Sequence, residues 1–220
     1  MDFETAQLHL QTSKLMGVDF LPIGETTPII ETTNQQAKLD QLKEEHYKAC
    51  PHCTVATGHK QIVFGTGNPD ASLMFIGEAP GAEEDLQGIP FVGAAGQKLN
   101  QIIEAIGMQR EDVYIANILK SRPPDNRTPL PSEVAECGTF LKKQIAIIQP
   151  EVIVTLGAPA TKYLLATTQG ITRLRGMWGT FENIPVMPTY HPAYLLRNYT
   201  NEIRGQVWND MQQAASKLNQ

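Results

Sequence analysis

Two short stretches, far apart in the chain, carry the residue types of a hydrolytic site. Gly77-Glu78-Ala79-Pro80-Gly81 follows Ser72-Leu-Met-Phe-Ile76. That apolar run reads as a buried parallel strand, so the Glu78 carboxylate falls on the loop just past a strand's carboxyl end. His191-Pro-Ala-Tyr-Leu-Leu-Arg197 follows a second strand-like run, Ile184–Thr189, and offers an imidazole and then a Leu-Leu-Arg tip. Glycine at 77 and 81 permits backbone geometry that lets a ligand approach main-chain N–H groups, although such a loop also reads as a plain tight turn. Together the stretches predict a cleft with a polar pair at its floor and an apolar wedge at its lip, which is the equipment for extruding a base from a duplex.

Further residues suit the same chemistry. Asn117 ends the run Val113-Tyr-Ile-Ala-Asn117. A strand-terminal Asn is often only a turn former, but its amide presents a donor and an acceptor side by side, matching the O4 acceptor and N3–H donor of uracil and mismatching cytosine. Phe91 lies among Pro and Gly in Ile89-Pro-Phe-Val-Gly93; the alternatives are a core aromatic or a rigid ring that stacks on a pyrimidine. The cysteines number three, two of them in Cys50-Pro-His-Cys53 and the third at Cys137. An odd count with a CxxC pair reads as metal binding rather than a disulfide framework. The other histidines, His9, His46, His52 and His59, lie in the N-terminal region without a context like that of His191.

The GEAPG loop, Ile89–Gly96, Asn117, Lys120-Ser-Arg-Pro-Pro-Asp-Asn-Arg-Thr-Pro129 and the HPAYLLR loop, taken in order, resemble the family 4 uracil-DNA glycosylases, which carry an iron-sulfur cluster. The resemblance covers roughly Ala49 to the C-terminus. It implies hydrolysis of the N-glycosidic bond of uracil in DNA, leaving an abasic site, with no diffusible cofactor. Glu78 then positions or polarises the water, His191 stabilises the departing base at O2, and Asn117 reads the base. Phe91, Gly77 and Ala79 line the pocket. Leu195 or Leu196 fills the gap left by the extruded base, and Arg122, Arg127 and Arg197 contact DNA. Glu84 or Asp85 is a candidate brace for the loop. The family's four cysteine ligands map to Cys50, Cys53, Cys137 and a position that is Ser121 here. A 4Fe-4S cluster with an atypical or missing fourth ligand is therefore expected. Zinc bound by three Cys and a His is the other reading; His52, flanked tightly by two ligands, would be strained. The rival functions are a catalytically weak module that binds uracil or abasic DNA, and a nucleoside or nucleotide N-glycosidase, which would need the pocket but no wedge.

Composition bounds these readings. The 220 residues fit one domain of ordinary size. No membrane-length apolar run and no signal-peptide pattern are present, so a cytoplasmic monomer is expected. The net charge of −5 opposes a nucleic-acid partner, but it is unevenly spread: residues 1–110 carry 7 Lys+Arg against 14 Asp+Glu, and residues 111–220 carry 11 against 9. Lys120, Arg122, Arg127, Arg173, Arg175 and Arg197 cluster in the motif loops, where a DNA-facing rim is needed.

The elements that must position these residues follow from the periodicity. Residues 1–33 show no sustained period and read as a disordered tail, leaving 34–220 as the domain. Helix formers from Asn34 to Lys48, with Leu39, Leu42 and Tyr47 on one stripe, deliver the CPHC loop. Strands are expected at 72–77, 113–117, 151–156 and 184–188, and helices at 95–107, 132–148, 158–167 and 200–218. Their alternation predicts a three-layer α/β/α sandwich around a short, mainly parallel central sheet of about four strands.

Overall fold

The computed structural model describes residues 34–54 and 58–218; the expected tail over 1–33 lies outside the described residues. The expected parallel core is present. β2 (Leu73–Gly77) is flanked by β3 (Tyr114–Asn117) and β4 (Val152–Leu156), and β6 (Ile184–Thr189) lies beyond β4, all parallel. Every residue of β2, β3 and β4 is buried, which is why these runs are continuously apolar rather than alternating.

The sheet is larger than expected: among the described residues it has six strands, with β3-β2-β4-β6 flanked by one further strand at each edge. The additions are β1 (Thr66–Gly67) and β5 (Gly179–Phe181), antiparallel edges of two and three residues. Strands that short carry no readable period, and β5 is created by the tight return at Glu182 and Asn183, both at positive φ.

Helices cover both faces. α1 (Asn34–Ala49), α5 (Pro131–Ile148) and α6 (Ala158–Leu165) pack on one face with Met74, Ile76 and Ile153. α4 (Ala94–Ala105), α8 (Pro192–Arg197) and α9 (Asn201–Leu218) pack on the other with Leu73, Phe75, Val113 and Val154. The described residues also form three helices of six residues or fewer: α2 (Pro51–Thr54), α3 (Ala82–Gln87) and α7 (Ile171–Leu174). α5 starts where its sequence dictates, with Pro131 in the first turn and the Glu133 carboxylate accepting from the Leu130 N–H. On α1 the buried stripe is Leu39, Leu42 and His46, while Tyr47 is exposed. Among the described residues no helix is long and apolar enough to cross a membrane.

Candidate functional site

Parallel pairing brings the motif loops to one edge of the sheet. Gly77 is in register with Asn117, and Leu156 with Thr189, so the loops carrying Glu78, Asn117 and His191 all leave at carboxyl ends of parallel strands, with β4 between β2 and β6. A pocket of about 150 Å³ lies there, lined by Ala79, Gly81, Glu84, Phe91, Ala95, Asn117 and His191. A cavity of that order holds one six-membered ring. His191 also borders a second opening of about 340 Å³, with Glu78, Gly157, Tyr194 and Arg197 in its walls.

The first pocket has a polar floor and an aromatic wall. Asn117 is buried, and its Oδ1 has no hydrogen-bond partner, an arrangement that costs free energy unless a ligand supplies the donor. Phe91 adopts a left-handed backbone, φ 52°, and its ring lies 5.6 Å from that of His191 at 35°. That conformation is held from outside. Arg110 Nη1 and Nη2 donate to the carbonyls of Phe91 and Pro90 at 3.2 and 2.5 Å, and a side chain at Gly96 would collide with the Phe91 carbonyl. Gly77 is required for a similar reason, because a Cβ there would strike Asn117 Oδ1 and the Phe91 ring.

Glu84 joins the two pocket loops. Its Oε2 accepts from the Gly81 N–H at 3.1 Å, and its Oε1 from Val92 and Gly93 at 2.9 Å each. Asp85 braces the outer side, accepting from the Lys60 N–H at 2.8 Å. The sequence signal for Glu84 is its place three residues after Gly81, the capping-box spacing; Arg110 offered none. Lys120, expected in the basic DNA-facing rim, is instead fully buried and supports the pocket floor. Its Nζ donates to the Asn117 carbonyl at 2.7 Å and to Gln144 Oε1 at 2.5 Å.

The electrostatics separate the two titratable groups. Burial pushes Glu78 above the usual carboxylate range. Burial, and then the Arg197 charge, hold His191 down at about 4, so its imidazole is neutral at ordinary pH. Nδ1 accepts from the Ala193 N–H at 3.1 Å, leaving the ring proton on Nε2.

The expected DNA-contacting residues divide. Leu195 is buried in the core, whereas Leu196 is 44% exposed at the tip of α8. Consecutive residues on a helix point about 100° apart, so the tip cannot present both; of the two residues expected at the lip, Leu195 is enclosed and Leu196 is the exposed one. Arg127 pairs in bidentate fashion with Glu133, at 2.8 and 2.6 Å, and Arg122 Nε donates to Asn126 Oδ1 at 2.7 Å. Arg175 is tied to Asp210 and to the Gln206 carbonyl, which fixes its loop against α9.

A second centre lies between α1, α2 and α5. His46, Cys50, Cys53 and Cys137 bring four metal-ligating side chains together, with ligand atoms all within 4.8 Å of one another and every residue buried. Cys53 Sγ is 3.8 Å from Cys137 Sγ, and His46 Nε2 is 3.8 Å from the same sulfur. The Lys120 N–H donates to Cys137 Sγ at 3.1 Å. Hydrogen bonds from Cys137 and then Cys53 pull the Cys50 thiol far below its ordinary range, and the same contact pushes Cys137 up.

The expected ligand set included Ser121 and not His46. Ser121 Oγ stands 3.3 Å from Cys53 Sγ and 3.1 Å from His52 Nε2, and His52 Nδ1 is 3.5 Å from Glu133 Oε1. A four-iron cubane takes one ligand on each of four irons, which keeps the ligand atoms well apart around the cluster. Thiols in mutual contact do not fit that group as arranged. The signal that could have found His46 is its spacing: it is four residues before Cys50 and four after Leu42, so it continues the buried stripe of α1.

A base-sized pocket and a polar pair at the carboxyl edge of a doubly covered sheet define a class. The chain belongs to the uracil DNA glycosylase superfamily, whose family model matches residues 64–212. Within it, the chain is similar to the type-4 uracil-DNA glycosylase of Thermotoga maritima, with 45% identity over 183 residues, covering 81% of this chain and 94% of the relative. It is also similar to the type-4 enzymes of Sulfurisphaera tokodaii (45% identity; 73% and 76% covered) and Archaeoglobus fulgidus (41%; 78% and 89%).

Proposed function

We propose that this protein is a uracil-DNA glycosylase of the type-4 kind, hydrolysing the N-glycosidic bond of uracil in DNA. The observation that carries the reading is the orphaned Oδ1 of Asn117 in a pocket sized for one ring. Uracil N3–H supplies the missing donor. Cytosine has no N3–H and leaves the oxygen unpaired, so the pocket discriminates by the cost of a buried unsatisfied acceptor.

In the reaction, the C1′–N1 bond breaks and its electron pair passes to the base, where O2 takes much of the charge. Neutral His191 meets that oxygen with its Nε2–H, which stabilises the leaving group without a protonated imidazole. The Glu78 carboxylate, in the adjoining opening, orients the water that adds to C1′ and favours the oxocarbenium-like sugar. Phe91 stacks on the base; Gly77 and Ala79 leave room for it. Leu196 occupies the vacated space in the duplex, and Arg122 and Arg197 contact phosphate. An exposed apolar tip beside a basic residue is of use on a polymer and not on a free nucleoside.

The test is release of free uracil from a uracil-containing oligonucleotide, leaving an alkali-labile abasic site. Asn117→Ala should slow the single-turnover rate far more than it weakens DNA binding. Binding without cleavage by the wild type would favour the sensor reading instead.

A further inference from the structure

We propose that the buried centre between α1, α2 and α5 is a mononuclear zinc site with the ligand set His46, Cys50, Cys53 and Cys137, in which His46 takes the place of a fourth cysteine and Ser121 stands outside the coordination sphere. The inference is independent of the glycosylase reading, since nothing in it touches the base pocket.

Size argues first. A tetrahedral zinc ion with bonds of about 2.3 Å to sulfur sets its thiolate sulfurs about 3.8 Å apart. Cys53 and Cys137 have that separation, and the whole ligand set spans no more than 4.8 Å. One ion fills such a space.

Chemistry argues second. Three sulfurs and one imidazole nitrogen form a closed set of the kind that structural zinc sites use. All four residues are buried, leaving no open position for water or substrate, so the ion's role is to fix the fold.

The histidine argues third. His46 is fully buried, its Nδ1 lacks a hydrogen-bond partner, its Nε2 lies 3.8 Å from the Cys137 sulfur, and its side chain also meets the Cys50 thiol. Its ring is held edge-on to Phe140, with centroids 4.8 Å apart, and beside Phe64 at 5.7 Å. An imidazole caged by aromatic rings, with cysteine thiols as its polar neighbours, is placed to join those thiols as a metal ligand through Nε2. Helical spacing supplies the geometry: His46 and Cys50 are four residues apart, and Cys53 follows on the next turn.

Ser121 then acts as an outer contact. Its hydroxyl bridges Cys53 Sγ and His52 Nε2, and through His52 it meets the Glu133 carboxylate that holds Arg127. The ion is thereby coupled to the loop bearing Arg122.

The experiment is metal analysis of protein purified anaerobically, with its visible spectrum. The expected result is one zinc per chain, no acid-labile sulfide and no visible absorbance. Zinc-edge X-ray absorption should show three sulfurs and one nitrogen, which tests the wild type even if variants misfold. After exchange with cobalt(II), the spectrum should be that of a tetrahedral site with three thiolates and one imidazole. His46→Ala should weaken zinc binding by roughly a hundredfold or more, His46→Cys should restore it with a cobalt spectrum shifted toward four sulfurs, and Ser121→Ala should keep one zinc. Three or four irons with sulfide per chain would overturn the proposal. So would a protein that takes up no metal when zinc is added to the reduced form, or a metal lost in Ser121→Ala and kept in His46→Ala.

Discussion

The backbone N–H of Ala193 donates to Nδ1 of His191 at 3.1 Å, in the first turn of the helix that His191 caps. One short contact thus fixes both where the ring lies and which nitrogen keeps its proton. With its pKa held at about 4, the imidazole needs no protonation change above that pH. The acid limb of the rate therefore belongs to Glu78, whose pKa burial raises above 4.5. The sign is direct: the carboxylate is the active form, so the single-turnover rate falls as pH drops through that raised value. Glu78→Gln should remove the limb and lower the plateau by about 10²–10⁴-fold. An unchanged limb in that variant would assign the titration elsewhere.

Gly77 and Asn117 face each other across the β2–β3 register with no space for a methyl group between them. Gly77→Ala forces either the Asn117 amide or the Phe91 ring out of place. Overpacking of this kind costs about 1–3 kcal/mol, which the sheet tolerates. The pocket does not. The variant should melt a few degrees lower while its cleavage rate falls at least tenfold, with DNA affinity nearly kept. Wild-type cleavage would show that the base does not sit against Asn117.

Leu195 and Leu196 offer a paired test, because adjacent residues of the same type have opposite surroundings. Leu195→Ala opens the core and should cost about 2–5 kcal/mol of stability. Leu196→Ala should leave the melting temperature within about a degree, since exposed substitutions are nearly neutral. It should slow cleavage of duplex uracil more than of single-stranded uracil, where no stack has to be filled. Equal effects on both substrates would remove the wedge role.

The contrast also marks what could be read in the sequence. The four parallel strands and the long helices were legible because their apolar runs are long enough to show a period, and β2, β3 and β4 end at or beside a Gly or Asn. Glu78, Asn117 and His191 were legible because a parallel sheet places strand-end loops together whatever their separation in the chain. Two kinds of feature were not. The edge strands and short helices are set by tertiary pairing, with too few residues for a pattern. Arg110 and Lys120 act by reaching across to another loop or helix, and partners 20 and 24 residues away leave no local trace. The Leu195 and Leu196 choice depended on the rotation of one helical turn.

Arg127 was expected on the DNA, yet its guanidinium is engaged with Glu133. The two loop arginines should therefore separate in experiment. The Arg127 hydrogen bonds, opposed by burial and aided by the Leu130 N–H, hold the Glu133 pKa at about 2. A depressed carboxylate stabilises the fold fully above its unfolded value near 4.5 and loses that contribution as pH falls toward 2. Between pH 6 and 3 the wild type should thus lose more melting temperature than Glu133→Gln, and Arg127→Ala should behave as Glu133→Gln does. Arg122→Ala should instead keep the wild-type melting curve and reduce the slope of log affinity against log salt by about one, as the loss of one phosphate contact requires. If Arg127→Ala lowers the salt slope and leaves the pH dependence of stability intact, the Glu133 pair is not what holds this loop.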